Sequence, residues 1–268
     1  MNNTEVFKEI FPEKYFYQFW LHNRRTDGRG FSNMRRMKIL RIGESKLMMN
    51  SKGNVIQAHY SVKTSKVRIN SEEQVDVPLY FDKLEIKVDR PTEKLQLDNF
   101  TDGLKTMLVK RYEGQLASLK LNELIVIDLS MLFFDESVVG ALMNLIIASF
   151  TECLLNKCNL NPSNGHALLA LTIKGFYVKE KDAMLWLFDP NKSELINGHD
   201  VLKSCIYGCI VDMQSGKLKL VKESGCSVSY GDIVNLTQLI KGMSFTTDYQ
   251  EMNGFYSNRE RKSFTLFN

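Results

Sequence analysis

Ile56, Ala58, Tyr60 and Val62 alternate with Gln57, His59 and Ser61. A period of two over this length means a strand with one covered face and excludes an amphipathic helix. The turn-forming run Asn50-Ser51-Lys52-Gly53-Asn54 precedes it, and Met37, Ile39 and Leu47-Met48-Met49 lead into that turn. Val75, Val77, Leu79 and Phe81 alternate again, as do Leu84, Ile86 and Val88. Residues 37–88 therefore predict a group of antiparallel strands, and their buried face needs a cover.

Helical patterns supply it. Tyr15, Phe16, Phe19 and Trp20 share one helix face, with Pro12 near the first turn. A helix is expected from Thr92 to Tyr112, with Leu95, Phe100, Leu104, Met107 and Leu108 as its apolar positions. The run 124–129 reads as a central strand. Asp135-Glu136-Ser137 then opens a helix through Leu142, Leu145, Ile146 and Phe150 to about Leu155, expected to be the most buried one. Strands follow at 168–173, 183–188, 204–212 and 217–223, then a last helix over 230–245. The polar run 258–262 is expected to fray.

The turn-rich joint 159–164 divides the chain. Residues 1–30 form an N-terminal helix and its following loop, 31–160 a first domain, 165–250 a second and 251–268 a C-terminal tail. The fold class is α+β, two β-then-α halves with sheets packed on helices.

Charge is unevenly placed. Residues 21–70 hold twelve lysines and arginines against Asp27 and Glu44 alone, whereas the rest of the chain is net acidic. One surface is thus expected to face a polyanion and another to face protein neighbours, with solvated cations as the alternative. The five cysteines include no CxxC pair and read as free thiols rather than a disulfide framework or zinc site. The four histidines are scattered, so no metal site is expected. No run of 18 apolar residues occurs and residues 1–16 lack a secretory pattern, so a soluble intracellular protein without membrane contact is expected. The G-x-S-x-G, G-x-x-x-x-G-K-[ST] and H-E-x-x-H motifs are all missing.

Five islands carry a family resemblance. They are Arg25-Thr26-Asp27-Gly28-Arg29 with Phe31 and Arg35-Arg36; Ser45 to Met49 with Gly53 to Ala58; Ile127-Asp128-Leu129 with Asp135-Glu136-Ser137; Leu185 to Asn191, containing Asp189-Pro190-Asn191; and Asp212 with Gly216-Lys217-Leu218. In this order the chain resembles the RNase PH-like ring subunits of the RNA exosome, on the non-catalytic branch. The resemblance implies an RNase PH-like fold whose first half is like a ribosomal-protein domain.

Active members of that family hold phosphate in a Gly-Arg-Ser-type turn and carry two nearby aspartates. Here the corresponding helix heads read Arg90-Pro91-Thr92-Glu93 and Phe134-Asp135-Glu136-Ser137, with acids where an anion would sit. Asp182 and Asp189 stand seven apart, which predicts opposite strand faces. Asp189 reads better as a strand-ending turn with Pro190, and Asp27 as a residue bonding its own turn. No catalytic residue and no cofactor is therefore expected.

The resemblance further implies contact with single-stranded RNA through Lys63, Lys66 and Arg68, on a loop at the channel neck, and through Lys110 and Arg111, a basic spot beside a neighbour's site. Arg35, Arg36 and Lys38 are assigned to structure or subunit contact. The implied partners are the other RNase PH-like ring subunits, cap subunits with RNA-binding domains and a separate nuclease, in the cytoplasm and the nucleus including the nucleolus. An active phosphorolytic exoribonuclease and an unrelated ribosome-associated RNA-binding domain are the alternatives.

Overall fold

Two β-sheets enclose a layer of helices. The structure, a computed structural model, describes residues 6, 10–22, 24–64, 83–89, 98–120, 122–134, 138–158, 160, 168–179, 182–196 and 204–267. In chain order the elements are α1 (Pro12–Leu21), β1 (Met37–Gly43), β2 (Lys46–Ser51), β3 (Asn54–Thr64), β4 (Leu84–Asp89), α2 (Asp98–Arg111), α3 (Glu113–Leu116) and β5 (Glu123–Phe134). They continue with α4 (Val139–Lys157), β6 (Leu168–Val178), β7 (Ala183–Phe188), α5 (Lys192–Ile196), β8 (Ser204–Asp212), β9 (Leu218–Gly225), α6 (Tyr230–Gly242), α7 (Thr246–Ser257) and β10 (Ser263–Leu266).

The first sheet has the order β10-β1-β2-β3-β5-β4 and the second β7-β6-β8-β9. The alternation in β3 is realised: Ile56, Ala58 and Tyr60 are buried and their neighbours half-exposed. One strand departs from expectation. β4 does not extend the antiparallel group but pairs parallel with β5, Leu84 opposite Ile125 and Asp89 opposite Ser130. A parallel pair needs a crossover connection, and α2 and α3 lie in the segment that supplies it. The predicted strand at 75–81 lies outside the described residues.

α4 touches β2, β3 and β5 of the first sheet and β6 of the second, so it lies between them. Every residue from Gly140 to Leu154 is buried. Among the described residues α4 alone is long and apolar enough to cross a bilayer. It carries Asn144, Ser149, Thr151 and Glu152 as well, and its burial makes it the core helix of this fold. α2 packs on β9, and its Phe100 ring lies over Gly208 of β8, where a Cβ would come within 2.4 Å of the ring. Only a glycine lets helix and sheet approach this closely.

Asn144 joins α4 to the second sheet. β7 pairs with β6 only from Ile173 onward, which leaves Ala170 without a strand neighbour on that side. The Asn144 side-chain amide takes that place, donating to the Ala170 carbonyl at 2.9 Å and accepting from its N–H at 3.0 Å. Asn144→Leu leaves both backbone groups buried and unpaired. It should lower stability by at least about 2 kcal/mol in urea unfolding, because each of the two orphaned groups costs about 1–3 kcal/mol.

The tail expected to fray is ordered. Residues 246–257 form α7, and β10 pairs antiparallel with β1, Phe264 opposite Ile39. Phe255, Tyr256 and Phe264 are buried together. Arg41 fixes the segment, stacking 4.1 Å from the Phe255 ring and donating to the Arg259 and Arg261 carbonyls and, at 2.6 Å, to buried Glu152 of α4. Apolar burial and this ion pair outweigh the polar composition of 258–262. The expected helix over 230–245 ends at Gly242, and α7 follows it as a separate helix.

Candidate nucleic-acid interface

The fate of Asp189 depends on the N-terminal loop. α1 lays Phe16 and Trp20 on Phe176, Val178 and Leu187 of the second sheet, with the Trp20 and Phe176 rings 3.9 Å apart. The chain then turns through Gly28, whose φ of 81° suits glycine. Asp27 bonds its own turn as expected, accepting from the Arg29 backbone at 3.2 Å and from its guanidinium at 2.8 Å.

Arg25 is buried under this loop. Its guanidinium makes a two-pronged pair with Glu194, at 2.9 and 2.5 Å, and donates to the carbonyls of Phe188 and Asp189. Glu194 is also a helix cap: Asn191 Oδ1 accepts from the Glu194 N–H while Glu194 Oε2 accepts from the Asn191 N–H, both at 2.8 Å. Buried Lys174 donates to the Glu194 carbonyl at 2.5 Å, and desolvation brings its pKa down to about 8 despite the Glu194 carboxylate.

Asp189 is the second anchor. It ends β7 with φ 48°, a left-handed conformation that aspartate tolerates. Its carboxylate accepts from the Arg35 backbone and guanidinium at 2.6–2.8 Å and from Arg29 at 3.1 Å. Burial opposes its charge, but Arg35 and Arg29 prevail and hold the carboxyl below its ordinary value. Arg35 is thus structural, as expected. Asp182, also at positive φ, sits exposed at the start of β7 and accepts from the Tyr177 hydroxyl. The two aspartates were expected on opposite faces. They lie at opposite ends of β7, roughly 20 Å apart at ~3.3 Å per residue, and form no pair.

The basic residues divide likewise. Lys66 and Arg68 lie outside the described residues, as do Arg90 to Glu93 and Asp135 to Ser137. Lys63 is exposed at the end of β3, 3.6 Å from Asp128, and a surface pair of this kind leaves the ammonium available. It shares a cleft of about 460 Å³ with Lys105 of α2 and with Glu85. Sequence reasoning missed Lys105, which only the β4–β5 pairing brings beside Lys63. Lys110 is exposed in the last turn of α2. Arg111 instead pairs with Asp212 and reaches Gln214 at 3.4 Å, tying α2 to the β8–β9 turn. Burial opposes ionisation of Asp212, yet hydrogen bonds from Ser215 and the Arg111 charge hold its carboxyl below the ordinary value. Of the five cations expected to contact RNA, Lys63 and Lys110 are the described ones whose charge remains available. All five cysteines are free, and among the described residues no group of three or more His, Cys, Asp or Glu could hold a metal.

No protein family and no curated protein sequence matches the chain. Solved structures do. A chain of an archaeal exosome core superposes with a TM-score of 0.56 at 13% identity, over 96% of this chain and 100% of that one. A chain of the Archaeoglobus fulgidus exosome, solved with RNA bound to its active site, gives 0.52 at 14% identity over 88% and 94%. Rice (Oryza sativa) Rrp46 gives 0.50 at 16% identity over 88% and 99%. The α+β fold expected from the sequence, with sheets packed on helices, is the RNase PH-like fold of these exosome core subunits.

Proposed function

We propose that the chain is a structural, non-catalytic RNase PH-like subunit of the hexameric ring of an RNA exosome. In this reading it lines the RNA channel and scaffolds cap subunits and a separate nuclease for 3′-to-5′ RNA processing and degradation, in the cytoplasm and the nucleus including the nucleolus. The likeness in fold extends over nearly the whole chain, which supports assembly among similar subunits. Lys63, with Lys66 and Arg68 of the following segment and Lys110 of α2, would contact phosphates of a passing strand. Arg111, committed to Asp212, would act on RNA only indirectly.

One observation carries the non-catalytic part. Phosphorolysis needs an acid near the leaving 3′ oxygen, and Asp189 is spent as counter-ion to Arg35 and Arg29. It is ionised, buried and fully hydrogen-bonded, so it has no proton to give. Asp182, at the far end of β7, is engaged with the Tyr177 hydroxyl. Incubating the full chain with poly(A) and inorganic phosphate should release no nucleoside diphosphate. Turnover that is lost in Asp182→Asn, an exposed change that spares the fold, would establish the active-enzyme alternative instead.

A further inference from the structure

Arg36, Lys38 and Lys52 are exposed around a cleft of about 660 Å³ on the first sheet, floored by Arg29 and Arg35. Sheet register puts its wall in order: Lys38 of β1 stands opposite Asn50 of β2 on one side and Thr265 of β10 on the other. These three side chains lie on the face turned away from Met37, Ile39 and Met49, which point into the core. The row offers one ammonium flanked by an amide and a hydroxyl, over roughly 10 Å at ~4.8 Å between strands.

Among the described residues no carboxylate lines the cleft. Arg29 and Arg35 of the lining are themselves neutralised by Asp27 and Asp189. Arg36, Lys38 and Lys52 have no ion-pair partner among the described residues, whereas Lys63 at the other end of the sheet has Asp128. Like charges held in one concavity repel one another, and a ligand that brings several negative charges relieves this.

We propose that this cleft binds the phosphodiester backbone of single-stranded RNA. It is separate from the channel-neck cations, because β3 runs from Asn54 beside the cleft to Thr64 beside Lys63, about 30 Å at ~3.4 Å per residue. The lining favours RNA over an acidic protein. Lysine is depleted from protein–protein interfaces while aromatic residues are enriched, and here two of the three exposed cations are lysines and no aromatic ring lines the cleft among the described residues. The same lack of an aromatic platform means that phosphates are held and bases are not stacked, so binding is indifferent to sequence and sensitive to salt. Choosing RNA as the source of the backbone rests on the proposed exosome role; the anion chemistry does not.

The test is fluorescence anisotropy of the full chain with labelled oligouridine, titrated from about 50 to 200 mM salt. The variant is Arg36→Gln/Lys38→Gln/Lys52→Gln, all exposed positions, with a thermal melt to confirm folding. Loss of three phosphate contacts should reduce the salt slope by about 2 and weaken binding about 100-fold at ~0.1 M salt. Three results would overturn the proposal: unchanged affinity and slope in the folded variant, complete loss of binding on Lys63→Gln alone, or oligoglutamate of equal length binding as tightly as RNA. Ring assembly is scored separately by co-purification of other RNase PH-like chains. A variant that assembles but binds RNA normally sinks the cleft alone, and RNA loss in a chain that never assembles sinks the ring reading alone.

Discussion

Arg25→Ala should lower folding stability by about 3–5 kcal/mol, the cost of removing one partner from a buried ion pair. The guanidinium is fully buried and holds both Glu194 oxygens, so alanine strips that buried carboxylate of its guanidinium and leaves it the Asn191 N–H bond and the charge of Lys174 near by. The carbonyls of Phe188 and Asp189 lose their donor at the same time. Arg25→Lys should recover less than half of the loss, because one ammonium cannot reproduce a planar fork that spans a carboxylate and two carbonyls. In thermal unfolding the alanine variant should melt about 6–20 °C below the parent, at ~2–4 °C per kcal/mol for a chain of this size. A loss under about 1 kcal/mol would mean that the site admits water and behaves as a surface pair.

Asp189→Asn should cost about 3 kcal/mol at neutral pH, by leaving Arg35 and Arg29 side by side without their shared counter-ion. Asparagine accepts the left-handed backbone at this position as readily as aspartate, so the substitution isolates the charge. The pH dependence gives a second readout. The folded carboxyl lies below its ordinary value of 3.8, so its contribution is fully present above that value and disappears as pH falls through the folded pKa. Parent and variant should therefore differ at pH 7 and converge under acid conditions. Urea unfolding at both pH values measures this, and a gap that persists unchanged in acid would show that Asp189 acts through shape rather than charge.

The parts of the fold legible in the sequence are those written in local periodicity. The alternation at Ile56–Val62, the apolar helix around Leu142–Phe150 and the strands 183–188 and 204–212 each announce themselves within a dozen residues. What escaped depends on distance. Arg25 and Glu194 are 169 positions apart, and nothing near Arg25 names its partner. The cap is legible, since Asn191 and Glu194 stand three apart as a capping box requires, but its link to Arg25 is not. Asp189 looked like a turn former because Pro190 follows it; the turn is real, and its carboxylate is the anchor.

The order of the tail is hidden in the sequence for a different reason. Met252, Phe255 and Tyr256 have helical spacing, but Gly254 weakens the pattern, and Phe264 and Leu266 are too short an alternation to stand out. Partners on α4 and β1 give the segment its stability. Among the candidate residues, Lys63 and Lys110 are exposed, and Arg111 is not freely available because Asp212 ends a strand that sequence alone does not dock on α2.

Native mass measurement of the affinity-purified chain, with identification of what accompanies it, bears most directly on the proposed role. A six-membered assembly containing other RNase PH-like chains is the expected result. A lone monomer, or a preparation of ribosomal proteins without any such chain, would contradict it.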